Sequence, residues 1–263
     1  MARVQTLSSS ANPLLKEIRR AVRAGTLTRD GCCVAETFHL LEEALRSDCR
    51  IRAVLVAESV RAAVESHLRG LSGPRLVVLP DRLFQGIAST ETSQGILALV
   101  QPPQWTLPQL CRPRSLVVVL DGLQDPGNAG AILRAAEAFG ATGVLALKGT
   151  VSLYNPKAVR ASAGSLFRVP AICGMEESPA LAWLEQQGLE LYAASPTGRH
   201  LLGETDLTRD CALIIGSEGR GVRPKLRAAA KELRIPTRGV ESLNAAMAAT
   251  VLLYEASRQR TSR

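Results

Sequence analysis

The sequence predicts an α/β protein of two domains, and three observations carry that expectation. Short apolar runs alternate with helical periodicity along both halves of the chain. Pro102, Pro103, Pro108 and Pro113 cluster at mid-chain, where they punctuate a linker. Near the C-terminus two apolar runs, Leu213-Ile214-Ile215 and Leu233-Arg234-Ile235, each break into a glycine-bearing loop, with Gly216, Gly219 and Gly221 in the first and Gly239 in the second. Loops at strand ends are where an open α/β sheet holds a small molecule, and glycine lets backbone approach closely there.

Composition narrows the class. The 263 residues, 46% of them hydrophobic, suffice for one large core or two ordinary ones. No run approaches a membrane span, and MARVQTLSSSANPLLKEIRR lacks the apolar centre of a signal peptide, so a cytoplasmic address is expected. Six cysteines (Cys32, Cys33, Cys49, Cys111, Cys173, Cys211) form no C-x-x-C pair, and His39, His67 and His200 lie far apart, so no metal is expected and the thiols read as reduced core residues. A formal charge of +8 points toward a polyanion, with the excess spread over both halves. Aromatics at 3% argue against a stacking platform for single-stranded bases.

In chain order, the cap-type residues from Ser8 to Asn12 precede Pro13 and a helix in which Leu14, Leu15, Ile18 and Val22 alternate with Lys16, Arg19, Arg20 and Arg23. Its basic face reads equally as a solvated surface or as an RNA-facing arm. Strands follow at 32–35, 53–57, 76–79 and 95–100, with helices at 38–45, 60–68 and 83–87 between them. This gives a first domain over 1–105, a linker over 106–114 and a second domain over 115–263. The second opens with the continuous apolar run Leu116 to Leu120, suited to a central parallel strand. Further strands are expected at 144–147, 167–169, 189–193, 213–215 and 233–235, and helices at 156–163 and 179–186. In the last helix Leu243, Met247, Val251 and Tyr254 recur at helical spacing among alanines; so apolar a helix is a core element or a subunit contact.

Candidate chemistry gathers on these loops. Asn128 falls where the helix N-cap after the first glycine loop is expected, and Arg134 lies six residues on, roughly 9 Å along the axis. A long arginine there can lean back to meet an anion or a hydroxyl, or can simply pair with Glu137 or Glu218. Glu218 suits a sulfonium or amino group better than a phosphate, or simply satisfies loop amides. Ser242 and Asn244 open the last helix, where they read equally as capping residues or as part of a site. There is no G-x-x-x-x-G-K-[ST], and neither glycine loop has the G-x-G-x-x-G order, so nucleoside triphosphates and dinucleotides fit poorly.

Three blocks in order, LDGLQDPGNAGAILRAAEAFGA, LIIGSEGRGV and RIPTRGVESLNAAMAATVLLYE, resemble the three motifs of the SpoU/TrmH family of RNA ribose 2′-O-methyltransferases. NPKAVRASAGSLFRVP, SSSANPLLKEIRR and AETFHLLEEAL extend the likeness over nearly the whole chain. Departures are Thr37 where relatives usually have glycine, Thr237 where they have methionine, and Ala135 where threonine is common. The resemblance implies a small ribosomal-protein-like α/β substrate-binding domain joined to an α/β domain with a deep trefoil knot, and a homodimer through the knotted regions. It implies S-adenosylmethionine bound at Gly216, Ile235, Leu243 and Ser195, and a catalytic set of Arg134, Asn128, Glu218, Ser242 and Asn244, with no metal. Arg134 would activate the ribose hydroxyl, as a base or electrostatically, and a guanidinium pKa above about 12 favours the second. The implied substrate is large-subunit ribosomal RNA. A transfer-RNA enzyme, an antibiotic-resistance methylase and a catalytically inactive RNA-binding assembly factor are the alternatives, with a nicotinamide oxidoreductase behind them.

Overall fold

The computed structural model describes residues 4–67 and 74–261, so Leu68, the expected end of the third helix, lies outside the described residues. By contact the chain forms two units, Met1–Pro103 with Tyr154–Phe167, and Gln104–Leu153 with Arg168–Arg263.

The first unit contains β1 (Val4–Thr6), α1 (Pro13–Ala24), β2 (Cys33–Ala35), α2 (Phe38–Arg46), β3 (Arg50–Ala57), α3 (Arg61–His67), β4 (Arg75–Leu79), α4 (Asp81–Gln85) and β5 (Ile96–Gln101). Its sheet has the order β1-β4-β3-β5-β2, with β1, β4 and β3 parallel and β5 antiparallel to both neighbours. Asn12 caps α1 by accepting from Leu14 N at 2.9 Å, Pro13 takes the first helical position, and Gly25 closes the helix at φ +64°. Leu15, Ile18 and Ala21 are buried on the sheet side. Thr37 has φ +154°, a region that strains any residue with a Cβ and that suits the glycine the family resemblance leads one to expect here. Its hydroxyl partly offsets the strain by capping α2 at Leu40 N, 3.1 Å away.

The later segment that packs with this unit carries α6 (Pro156–Ala161), which in chain order falls between two strands of the second unit. Its Arg160 faces Glu36 at 3.9 Å and donates to Ser89 Oγ. Glu36 is 2% exposed, and its carboxylate accepts from Ser89 N, Ser89 Oγ and Thr90 Oγ1. A buried carboxylate is tolerable only when so many donors face it.

The second unit contains β6 (Leu116–Asp121), α5 (Pro126–Ala138), β7 (Gly143–Leu147), β8 (Ala171–Met175), α7 (Glu177–Gln186), β9 (Glu190–Ala194), β10 (His200–Leu201), β11 (Cys211–Gly216), α8 (Pro224–Ala229), β12 (Lys231–Arg234) and α9 (Ala245–Thr261). Residues expected as linker begin it: Leu107–Leu110 form a 3-10 turn, and Leu110 is fully buried against the sheet. All pairings in the sheet are parallel, in the order β10-β12-β9-β11-β6-β7-β8. Every residue of β6 is buried, as a central strand covered on both faces requires.

Two expectations fail locally. The strand expected at 167–169 is a 3-10 turn over Ser165–Phe167 that buries the Phe167 ring, and β8 starts only after Pro170. Pro170 lacks a ladder N–H but its carbonyl accepts from Val144 N, so pairing begins there. Asn128 is not the N-cap of α5; Asp125 is, accepting from Gly127 N at 2.8 Å with Pro126 in the first position, which moves Asn128 into the first turn.

Strand order sets the crevice. From β6 the chain proceeds to β7 and β8 on one side, then crosses to β9 on the other, with β11 between β9 and β6. The carboxyl ends of β6 and β11 are therefore the switch point of the sheet. After β12 the chain turns back, and α9 packs on α5 and β11. The loops it crosses, after β9 and β11, line one cleft with it. This is the re-entrant path to which the resemblance leads. No helix among the described residues is long and apolar enough to cross a membrane, and no group of three His, Cys, Asp or Glu there could hold a metal. Burial raises the Cys33 thiol above its ordinary range and pushes Cys211 up to about 11, which keeps both protonated at neutral pH.

Candidate active site at the switch point

The register β6 to β11 places Asp121 opposite Gly216, so the loops that follow start side by side. Asp121 is 1% exposed, and its two carboxylate oxygens accept from Arg223 N at 2.7 Å and Arg223 Nε at 2.5 Å. That clamp fixes the far end of the loop 217–223. Its near end is closed by Ser217 and Gly221, which exchange backbone hydrogen bonds of 3.2 and 2.9 Å.

The loop so formed folds over Gly216. A Cβ there would lie 2.1 Å from the Gly221 carbonyl carbon and 2.2 Å from Val222 N. Gly216 is thus required by the loop's own backbone, and a side chain would unseat the loop rather than merely fill a ligand's space.

Between these loops runs a relay of side chains. Asn128 Nδ2 donates to Glu218 Oε1 at 2.5 Å, and Asn128 Oδ1 accepts from Asn244 Nδ2 at 3.1 Å. Asn244 Oδ1 accepts from Ala246 N and Met247 N at 2.9 and 3.3 Å, capping α9. The amide orientations follow from the partners: helix amides can only donate and an ionised carboxylate can only accept. Three loops are thereby tied through Asn128.

Beside the relay lies a cleft of about 350 Å³, within the range of small-molecule sites. Ser195, Gly216, Glu218, Ile235, Ser242 and Leu243 all line it, as do Thr197, Arg220, Arg227 and Glu241. The four positions expected to hold the cofactor therefore come together. Asn128 and Asn244 reach the cleft only through Glu218 and α9. Arg134 does not line it: it stands exposed on α5, its side chain without a hydrogen bond or ion pair among the described residues. The expected pairing of Arg134 with Glu137 or Glu218 is not formed, because Glu137 pairs with Arg168 and Glu218 is taken by Asn128.

Sequence reading missed Asp121, Thr197 and Glu241. Asp121 carried a signal, since a carboxylate ending a wholly apolar run must find donors. Thr197 and Glu241 are ordinary polar loop residues brought in by the fold.

The cleft suits S-adenosylmethionine. Ile235, Leu243 and Val222 offer apolar walls for the adenine, Glu218 and Glu241 offer negative charge toward the sulfonium and amino groups, and Arg220 or Arg227 would meet the carboxylate.

Comparison with known proteins agrees. Residues 115–254 match the SpoU rRNA Methylase family and residues 12–98 match the MRM3-like substrate binding domain. The chain belongs to the SpoU rRNA methylase family. Among its relatives, it is 34% identical to an uncharacterised tRNA/rRNA methyltransferase of Synechocystis, over 98% of this chain and 95% of the other. It is 30% identical to a 23S rRNA (guanosine-2′-O)-methyltransferase of Bacillus subtilis, over 95% and 98% of the two chains. The solved SpoU methyltransferase AviRb of Streptomyces viridochromogenes, in complex with AdoMet, superposes with a TM-score of 0.85 at 27% identity, covering 95% of this chain and 99% of that one.

Gly216→Ala is expected to weaken S-adenosylmethionine binding at least tenfold by calorimetry and to lower the melting temperature together, since the loop must open to admit the methyl group. Unchanged affinity would show that the loop is dispensable for the ligand.

Proposed function

We propose that this chain transfers a methyl group from S-adenosylmethionine to a ribose 2′-hydroxyl of large-subunit ribosomal RNA in the cytoplasm. The observation that carries this reading is the cleft at the switch point, walled by three backbone loops and bearing a carboxylate held in place by Asn128. Named relatives act on 23S rRNA. Bound in the cleft, S-adenosylmethionine supplies a methyl already activated on a sulfonium, with a neutral thioether as leaving group.

The chain's residues then have separable tasks. Glu218, fixed by Asn128, holds the second loop in shape and places negative charge at the cleft. Asn244 couples that loop to the start of α9, and Ser242 and Leu243 line the approach. Gly216, Ile235 and Ser195 form walls of the cofactor site. Arg134, exposed and with no side-chain partner among the described residues, is available for the RNA. Taking a proton off a guanidinium at neutral pH would cost roughly 7 kcal/mol for five pKa units. Arg134 therefore acts as a cation: it lowers the pKa of the 2′-hydroxyl and holds an adjacent phosphate while the proton leaves to phosphate or water.

The protein is a homodimer in this reading. On α9, Ala246, Ala249, Leu252, Leu253 and Ala256 are buried, while Met247, Val251 and Tyr254, one turn apart on the other side, are 62, 37 and 55% exposed. An apolar stripe left in water on an already packed helix suits a second copy of the same stripe.

Arg134→Ala is expected to reduce methyl transfer at least a thousandfold while calorimetric affinity for S-adenosylmethionine stays within twofold of the native value; residual turnover near the native rate would remove Arg134 from the chemistry. Val251→Glu should shift the mass measured by sedimentation toward that of a single chain, and a native chain that sediments as a monomer would remove the dimer.

A further inference from the structure

We infer that the solvent face of α1 is a dock for the RNA phosphate backbone. Lys16, Arg19, Arg20 and Arg23 wall one shallow groove of about 620 Å³ with Ala24, and no acidic residue lines it. Lys16, Arg20 and Arg23 are exposed at spacings of four and three residues, about 6 and about 4.5 Å along the axis. Arg20 is partly engaged by Glu17 and Leu27 O, and Arg19 by Ser10 O and Leu15 O. The side chains of Lys16 and Arg23 make no hydrogen bond or ion pair among the described residues.

Helix stability does not account for this pattern. Arg23, in the last turn, is favourable to the helix dipole, but Lys16 sits near the N-terminus, where a cation is unfavourable, and the first turn holds no acid. Lys16 with Arg19 and Arg20, and Arg23 with Arg19 and Arg20, are like-charge pairs at three or four residues, each mildly destabilising. Only Glu17 answers them on this helix. A polyanion laid along the groove reverses the sign of all four contacts. The remaining face of the helix is committed to the core through Leu15, Ile18 and Ala21, which leaves no apolar anchor for a membrane or for a protein hot spot.

This inference rests on RNA being the substrate, and its test separates the two. Binding of the full chain to large-subunit ribosomal RNA lacking the modification is titrated against salt, for the native protein, for Lys16→Gln with Arg23→Gln, and for a control that loses the same charge outside α1, Arg75→Gln with Arg82→Gln. Loss of two phosphate contacts should reduce the slope of log K against log salt by about 1.4 to 1.8 and weaken binding at least tenfold near 0.1 M salt. The control should keep the native slope. KM for RNA should rise with kcat unchanged, and S-adenosylmethionine affinity should stay native. An unchanged slope in the α1 variant, or an equal change in the control, overturns the dock. Binding of anionic phospholipid vesicles that the α1 variant alone loses would reassign the surface to a membrane. A native chain that binds RNA through α1 but methylates none would instead overturn the proposed function and leave the dock standing.

Discussion

The site depends on one side-chain amide. Asn128 donates to Glu218 at one end and accepts from Asn244 at the other, so the loops after β6, β11 and β12 are tied by a single planar group. Such a joint is strict because each end has one chemical sense: reversing the amide would set a carbonyl against a carboxylate. The joint exists only because the sheet delivers its parts. Asp121 and Gly216 lie opposite one another in the β6–β11 register, and a slip of one residue would turn every side chain of β11 to the other face.

Around this joint, the structure trades freedom for shape at defined positions. Asp121 is buried at the sheet's edge of polarity and is tolerated because Arg223 provides both a backbone and a guanidinium donor. Gly216 has no side chain because Gly221 and Val222 occupy the space where one would be. The last helix serves two surfaces at once: small residues allow α9 to lie close to α5, while Met247, Val251 and Tyr254 face outward. The edge-to-face contact of Phe139 with Tyr254, ring centroids 5.8 Å apart, fixes part of that outward row.

The sequence made the class of fold and the loops that line the cleft legible, because long apolar runs and glycine clusters are local signals. Leu116 to Leu120 reads as a central strand without any knowledge of its neighbours, and Gly216, Ile235 and Leu243 fall in ordered motif blocks, while Ser195 stands outside them in AASPTG. Pairings that depend on distant chain were not legible. Whether Glu218 meets Asn128 or Arg134 is decided by register and by Asp125 taking the cap of α5, which no spacing argument distinguishes. The return of residues 154–167 to the first unit was hidden too, since its determinant is the meeting of Arg160 with Glu36 and Ser89 across 71 to 124 residues of chain. Phe167 misled for a related reason: an apolar residue signals burial, and burial in a 3-10 turn leaves the same trace as burial in a strand.

The reaction proposed for the cleft is delivery of a methyl group to a ribose oxygen. Incubation of the native chain with labelled S-adenosylmethionine and unmodified large-subunit ribosomal RNA, followed by nuclease digestion and mass spectrometry of the nucleosides, tests it directly. Label is expected on the 2′-oxygen of a single nucleotide. Label on a base, or donor binding with no label in any RNA, would contradict it.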